Sequence, residues 1–192
     1  MNTMKSKTIL GAAAALVALL AVSILNLTGG TNLAHAALSR LERAKQEAEF
    51  INNFLSFVDW PGAAFYDDKA PAVLCVVGKN PFANTLSKYA AGKDGPRPLA
   101  VVELESLAQA PACHMIYIES SAKARVSEIM GSFGDSAVLT VSEIEGFATS
   151  GGMVEFNDDG RGVRLTINQK TAQDAGFKIS SKLLRVATIV GQ

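Results

Sequence analysis

"AVLCVV", residues 72–77, is an unbroken apolar run containing three valines, and it stops at Gly78. A strand with one wet face alternates apolar and polar residues, whereas a continuous run suits a strand covered on both faces, as in a parallel sheet flanked by helices. The neighbouring segments agree with that reading. "NPFANTLSKYAA" (80–91) reads as a helix, with Asn80 as cap and Pro81 at its first position. "RPLAVVEL" (97–104) and "HMIYIES" (114–120) read as strands separated by a short helical "ESLAQA" (105–110). "SAKARVSEIMGSF" (121–133) reads as a helix, "AVLTV" (137–141) as a strand and "SEIEGFATS" (142–150) as a short helix. Strands alternating with helices predict a largely parallel sheet with helices on its faces.

The pattern changes at "GMVEFNDDGRGVRLTIN" (152–168), which alternates with period two on both sides of Asp159-Gly160, a favoured hairpin dipeptide. Val154 and Phe156 share one face, as do Val163, Leu165 and Ile167 across the turn, while Glu155, Arg164 and Thr166 point the other way. "NQKTAQDAG" reads as a helical turn ending at Gly176, and "SSKLLRVATIV" (180–190) as a helix capped by Ser180. The expected fold is therefore α/β, a mostly parallel central sheet of about five to six strands flanked by helices, ending in an antiparallel hairpin and a C-terminal helix.

Upstream, Ser39-Arg40-Leu41-Glu42 has the form of a capping box, which predicts a helix start. Leu41, Ala44, Ala48, Ile51, Leu55 and Val58 then make one apolar stripe, and Phe50, Phe54 and Phe57 a second beside it. One stripe seats a helix on a sheet; the second needs another element or another subunit. Pro61 disfavours helical geometry at Trp60 and closes the segment.

Before this helix, two lysines and no acid precede the apolar "ILGAAAALVALLAVSIL", and Ala34-His35-Ala36 offers the small-x-small pattern of signal cleavage. Residues 1–36 are expected to be a signal peptide, the alternative being a retained anchor, since the apolar stretch approaches spanning length. Residues 37–192 are expected to form a single exported domain. Losing Lys5 and Lys7 with the leader leaves two more acids than bases and no basic run, which excludes a counterion-displacing nucleic-acid surface.

Cleavage also removes His35 and leaves His114 as the only histidine, too few for an ordinary zinc site. His114 opens a strand, where its simplest role is a hydrogen-bonded group at a sheet end. No G-x-S-x-G elbow offers it a nucleophile. "SGGM" (150–153) lacks the lysine and spacing of a phosphate loop and reads as a tight turn, and Asp158-Asp159 read as turn formers rather than an acid and a base. No cofactor and no catalytic residue is expected. Cys75 and Cys113 are the only cysteines, and an even count in an exported chain favours a disulfide over two buried thiols.

Taken together, "NNFLSFVDWP", "VLCVVGKNPF", "CHMIYI", "GGMVEF" and "ISSKLLRVA" resemble the YfiR family over Glu47 to Ala187. The resemblance implies an α/β domain in the periplasm of a Gram-negative bacterium. It implies a regulator that acts on the periplasmic part of a membrane-bound diguanylate cyclase, lowers cyclic di-GMP signalling, and is itself captured by an outer-membrane lipoprotein. Cys75 and Cys113 match the positions of a family disulfide, while a second family pair near the hairpin has no counterpart here. A non-catalytic regulator is the leading expectation. The other is a small-molecule sensor with its pocket at the carboxyl ends of the parallel strands. A homodimer is expected to meet through Leu41, Ala44 and Ala48, and the partner surface is expected at Phe156, Phe177, Ile179 and Leu183.

Overall fold

A computed structural model describes residues 38–62, 64–67, 69–79, 85–88 and 95–191. The leader and its cleavage point lie outside these residues. The chain divides into two compact units, Met1–Glu42 and Arg43–Gln192. Of the first, residues 38–42 are described; they are helical, and Leu38 and Leu41 are exposed. Leu38, the first described residue, is already helical in α1 (residues 38–57), so Ser39 is not its cap.

The second unit holds a seven-stranded sheet and a separate two-stranded ribbon. The ribbon pairs β1 (Val58–Asp59) antiparallel with β8 (Lys178–Ile179). The sheet contains β2 (Ala72–Val77), β3 (Leu99–Glu103), β4 (Met115–Ile118), β5 (Leu139–Ser142), β6 (Val154–Asp158), β7 (Val163–Asn168) and β9 (Ala187–Val190), in the order β3-β2-β4-β5-β6-β7-β9. Every pairing is parallel except the β6–β7 hairpin. The parallel α/β sheet and the hairpin thus follow the sequence pattern.

Period-two alternation in the central strands sends side chains into two cores. Leu74, Val76, Met115, Tyr117, Leu139 and Val141 pack with Ile51, Phe54 and Leu55 of α1. Cys75, Val77, Ile116 and Ile118 pack on the opposite face with Ile129, Phe133, Ile144 and Phe147. The second stripe of α1 is satisfied within the chain: Phe54 stacks on Phe156 of β6 at 6.3 Å, and Phe50 lies 6.1 Å from the same ring. The aromatic run then leaves the helix, Val58 and Asp59 joining the ribbon and Trp60 meeting Phe65 and Phe177 edge-on at 5.4 and 5.3 Å.

Several elements differ from expectation. Residues 107–112 wind as a 3₁₀ helix rather than an α-helix, because Pro111 has no N–H to continue an α-helical ladder. Ser120–Arg125 is also 3₁₀ and hands over to helix α3 (Val126–Gly131). Of the helix expected over 80–91, residues 85–88 are helical (α2) and the remainder lies outside the described residues. In the segment 142–150, Ser142 ends β5 and residues 145–150 form turns instead of a helix. There Glu155, expected to point away from the hairpin's apolar face, accepts the Gly146 and Ala148 amides at 3.1 and 3.0 Å, and Gly146 has φ +80°. These bonds replace the amide partners a helix would have offered.

Helix α4 (Gln169–Asp174) forms where expected, capped by Asn168, whose Oδ1 accepts the Thr171 amide at 3.0 Å. The C-terminal helix does not extend as expected. It is a single turn, α5 (Ser181–Leu184), after which β9 pairs with β7 from Ala187 to Val190. The β-branched Thr188, Ile189 and Val190 suit a strand, and an open sheet edge satisfies their backbone better than a lone helix turn. That strand raises the sheet to seven.

Candidate functional site

The two ends of the parallel strands carry different chemistry. At the amino ends, the Cys75–Cys113 disulfide ties β2 to the residue before His114, with a Cα–Cα separation of 5.8 Å. His114 Nδ1 accepts the Val73 amide at 3.0 Å, and the ring stacks on Phe65 at 4.5 Å; the Arg97 guanidinium lies 3.5 Å from the same Phe65 ring centre. Burial, joined by the Arg97 charge, holds the His114 imidazole below its ordinary pKa, against a hydrogen bond with the Ala64 backbone. His114 is therefore a neutral, hydrogen-bonded group at a sheet end. A cleft of ≈ 680 Å³ opens beside it, lined among others by Pro61, Tyr66, Pro111, Asp135 and Ser136. It lies at the opposite end of the sheet from the expected pocket.

The carboxyl ends are occupied by a charged cluster assembled from four parts of the fold. Glu47 of α1 is buried, and its carboxylate accepts Arg43 Nε and the Tyr117 hydroxyl, each at 2.8 Å. Arg43 also reaches Asp158 Oδ2 at 3.4 Å and Glu143 Oε2 at 3.7 Å. Glu143 in turn accepts the Ser120 amide at 3.2 Å, which places it against the end of β4. Glu119, the first residue after β4, is 7 % exposed and accepts a long bond of 3.4 Å from Ser121 Oγ. Gly78 packs so closely that a Cβ there would stand 2.6 Å from Glu119 Cβ and 2.9 Å from its Oε2.

The electrostatics follow from this crowding. Burial, reinforced by the neighbouring Glu143 charge, pushes the Glu119 carboxyl up to about 7. Burial also raises Glu47, opposed by its bonds from Arg43 and Tyr117. Burial, then the Glu47 charge, raises the Tyr117 phenol, so Tyr117 stays a hydrogen-bond donor. The sequence held one signal of this cluster. Glu47 is three residues after Ala44 and four before Ile51, a carboxylate on the stripe that faces the core. Nothing in the local pattern announced that Tyr117, Glu119 and Glu143 would converge on it, because that convergence is set by strand order.

The residues expected to bind partners fare differently from the disulfide. Phe156, Phe177 and Leu183 are 1 %, 0 % and 5 % exposed and belong to the main core. Ile179 is half-buried in the ribbon opposite Val58. Within the hairpin, Phe156 is the ring on which Phe50, Phe54 and Tyr117 converge. Of the expected dimer contacts, Ala44 and Ala48 are buried at 2 % and 4 %, whereas Leu41 is 41 % exposed. Among the described residues no three His, Cys, Asp or Glu side chains are placed to hold a metal ion, and no helix is long and apolar enough to cross a membrane.

This architecture, an α/β domain with a parallel sheet, an antiparallel hairpin and helices on both faces, has counterparts of known structure. A conserved domain protein from Vibrio cholerae O1 biovar El Tor superposes with a TM-score of 0.53 at 16 % identity, covering 77 % of this chain and 60 % of that one. An ABC domain from Streptococcus pneumoniae, in complex with L-Trp, superposes with a TM-score of 0.54 at 12 % identity and the same coverage. At such identities the likeness concerns the fold, and the match spans three-fifths of each of those chains. No curated protein matches the chain. The family model described as YfiR/HmsC-like matches residues 44–188, and the chain belongs to that family.

Proposed function

We propose that the protein is a non-catalytic periplasmic regulator that binds the periplasmic part of a membrane-bound diguanylate cyclase and represses it. The observation that carries this reading is the YfiR/HmsC-like match across residues 44–188, which takes in both cores and the hairpin. The Cys75–Cys113 bond suits an oxidising compartment and supports the periplasmic assignment. In this reading a second copy of the chain and an outer-membrane lipoprotein are further partners. Affinity capture with the mature domain from a detergent-solubilised membrane extract of its native host tests it. A GGDEF-type membrane cyclase should be retained, and deleting the gene should raise cellular cyclic di-GMP. Capture without a cyclase and an unchanged cyclic di-GMP level would refute the assignment.

The cleft at the amino ends favours one second reading, a small-molecule sensor feeding another membrane signalling protein. A ligand seated there would raise the melting temperature by mass action, and Tyr66→Ala at the rim would abolish that rise.

A further inference from the structure

We propose that the charged cluster at the carboxyl ends is a proton-operated clasp: when Glu119 takes up a proton, the second unit's part of α1 is held more tightly to the sheet.

The geometry supplies the reason. Arg43 serves Glu47, Asp158 and Glu143 at 2.8, 3.4 and 3.7 Å. A guanidinium fully matched to one carboxylate cannot also neutralise two more, so the cluster carries excess negative charge while all its acids are ionised. Glu119 adds to that excess without a cation of its own in these contacts. Its partner is the Ser121 hydroxyl, and Gly78 blocks retreat on one side. Other charged groups nearby are Glu103 at the end of β3, exposed, and Lys79, whose amide donates to Ser121 Oγ at 2.8 Å while its side chain is exposed.

Protonating Glu119 removes one negative charge from beside Glu143 and leaves the Arg43–Glu47–Tyr117 bonds intact. The strain of like charges across the end of β4, β5 and α1 then falls. Deprotonation restores it, and the weakest member to give way is the α1 turn that Arg43 and Glu47 anchor, since the strands are held by the sheet ladder on both sides.

The test is amide hydrogen exchange of the intact mature protein at pH 5.5 and 8.0, corrected for intrinsic rates, read over residues 43–51. Protection there should be roughly three- to tenfold higher at pH 5.5, less than a fully buried carboxyl would give because Glu119 retains contact with water. Glu119→Gln should be equally protected at both pH values and should match the wild type at pH 5.5. Exchange of residues 43–51 should depend little on added urea while that of residues 114–118 depends on it strongly, which separates the clasp from global unfolding. A wild type whose α1 protection does not change with pH, or a Glu119→Gln variant that keeps the full dependence, would overturn the proposal.

Discussion

The hydroxyl of Tyr117 donates to Glu47 Oε2 across 2.8 Å, joining β4 to α1 inside the core. Both groups are almost fully buried, so neither has water as a ready substitute partner. Tyr117→Phe removes the donor while keeping the ring that faces Phe156 at 6.2 Å. The expected cost is about 1.5–3 kcal/mol, the range for a hydrogen bond to a charged group, with the carboxylate left to Arg43 alone. Urea titration should show a lower midpoint at an unchanged slope; a midpoint equal to the wild type would mean that Glu47 is already protonated or rearranges without loss.

His114 should make the fold acid-sensitive. Its folded-state pKa lies below the ordinary 6.5, so the native state binds the proton less well than the unfolded chain. Its contribution is present above pH 6.5 and is lost as pH falls through the folded value. The protonated ring could no longer accept the Val73 amide. Glu119 acts with the opposite sign: its raised pKa means that its contribution is present below 4.5 and is lost as pH rises through about 7. Thermal melts are therefore best compared in the Glu119→Gln background, where acidification from pH 7 to 5 should lower the melting temperature. Adding His114→Asn, whose Oδ1 can still accept the Val73 amide, should flatten that slope.

The disulfide should be a structural one. It closes a loop of 38 residues in sequence separation, which corresponds to about 4 kcal/mol on the chain-entropy account. Cys75→Ala with Cys113→Ala should lose a large part of that stability and retain the native circular dichroism at low temperature. Two alkylated thiols in unreduced protein purified from the periplasm would contradict the assignment.

How much could be read from the chain varied with how local the determining physics was. The run at 72–77, the alternation around Asp159-Gly160 and the stripe on α1 each encode burial in their own neighbours, and strands, hairpin and helix lie where those patterns put them. The C-terminal segment misled because "SSKLL" starts with a good cap and a helical turn does form, at Ser181–Leu184. What ends it is the free edge of β7, a partner 20 residues or more upstream that periodicity cannot see. The same limit hid the cluster at the carboxyl ends. Phe156 and Phe177 follow the α/β alternation, where the pattern suggests a contact surface, yet the pairing of β6 with β5 carries Phe156 under α1.

That burial separates two kinds of variant and so tests where a second copy of the chain can dock. Phe156→Ala would remove the ring shared by Phe50, Phe54 and Tyr117, a loss of about 3–5 kcal/mol, and should act by unfolding rather than by selective loss of partner binding. Ala48 belongs to the main core, and Ala44 is 2 % exposed. Leu38 and Leu41, 61 % and 41 % exposed, remain as the large apolar groups on the first described turn of α1. The proposed homodimer therefore has to use Leu41 without its two expected companions. Leu41→Glu should leave the thermal melt within about 0.5 kcal/mol of the wild type, as for a surface change, and shift the mass in gel filtration with light scattering from dimer to monomer. A wild type that is monomeric at micromolar concentration would remove the dimer from the reading, and a Leu41→Glu variant that stays dimeric would move the contact elsewhere on the domain.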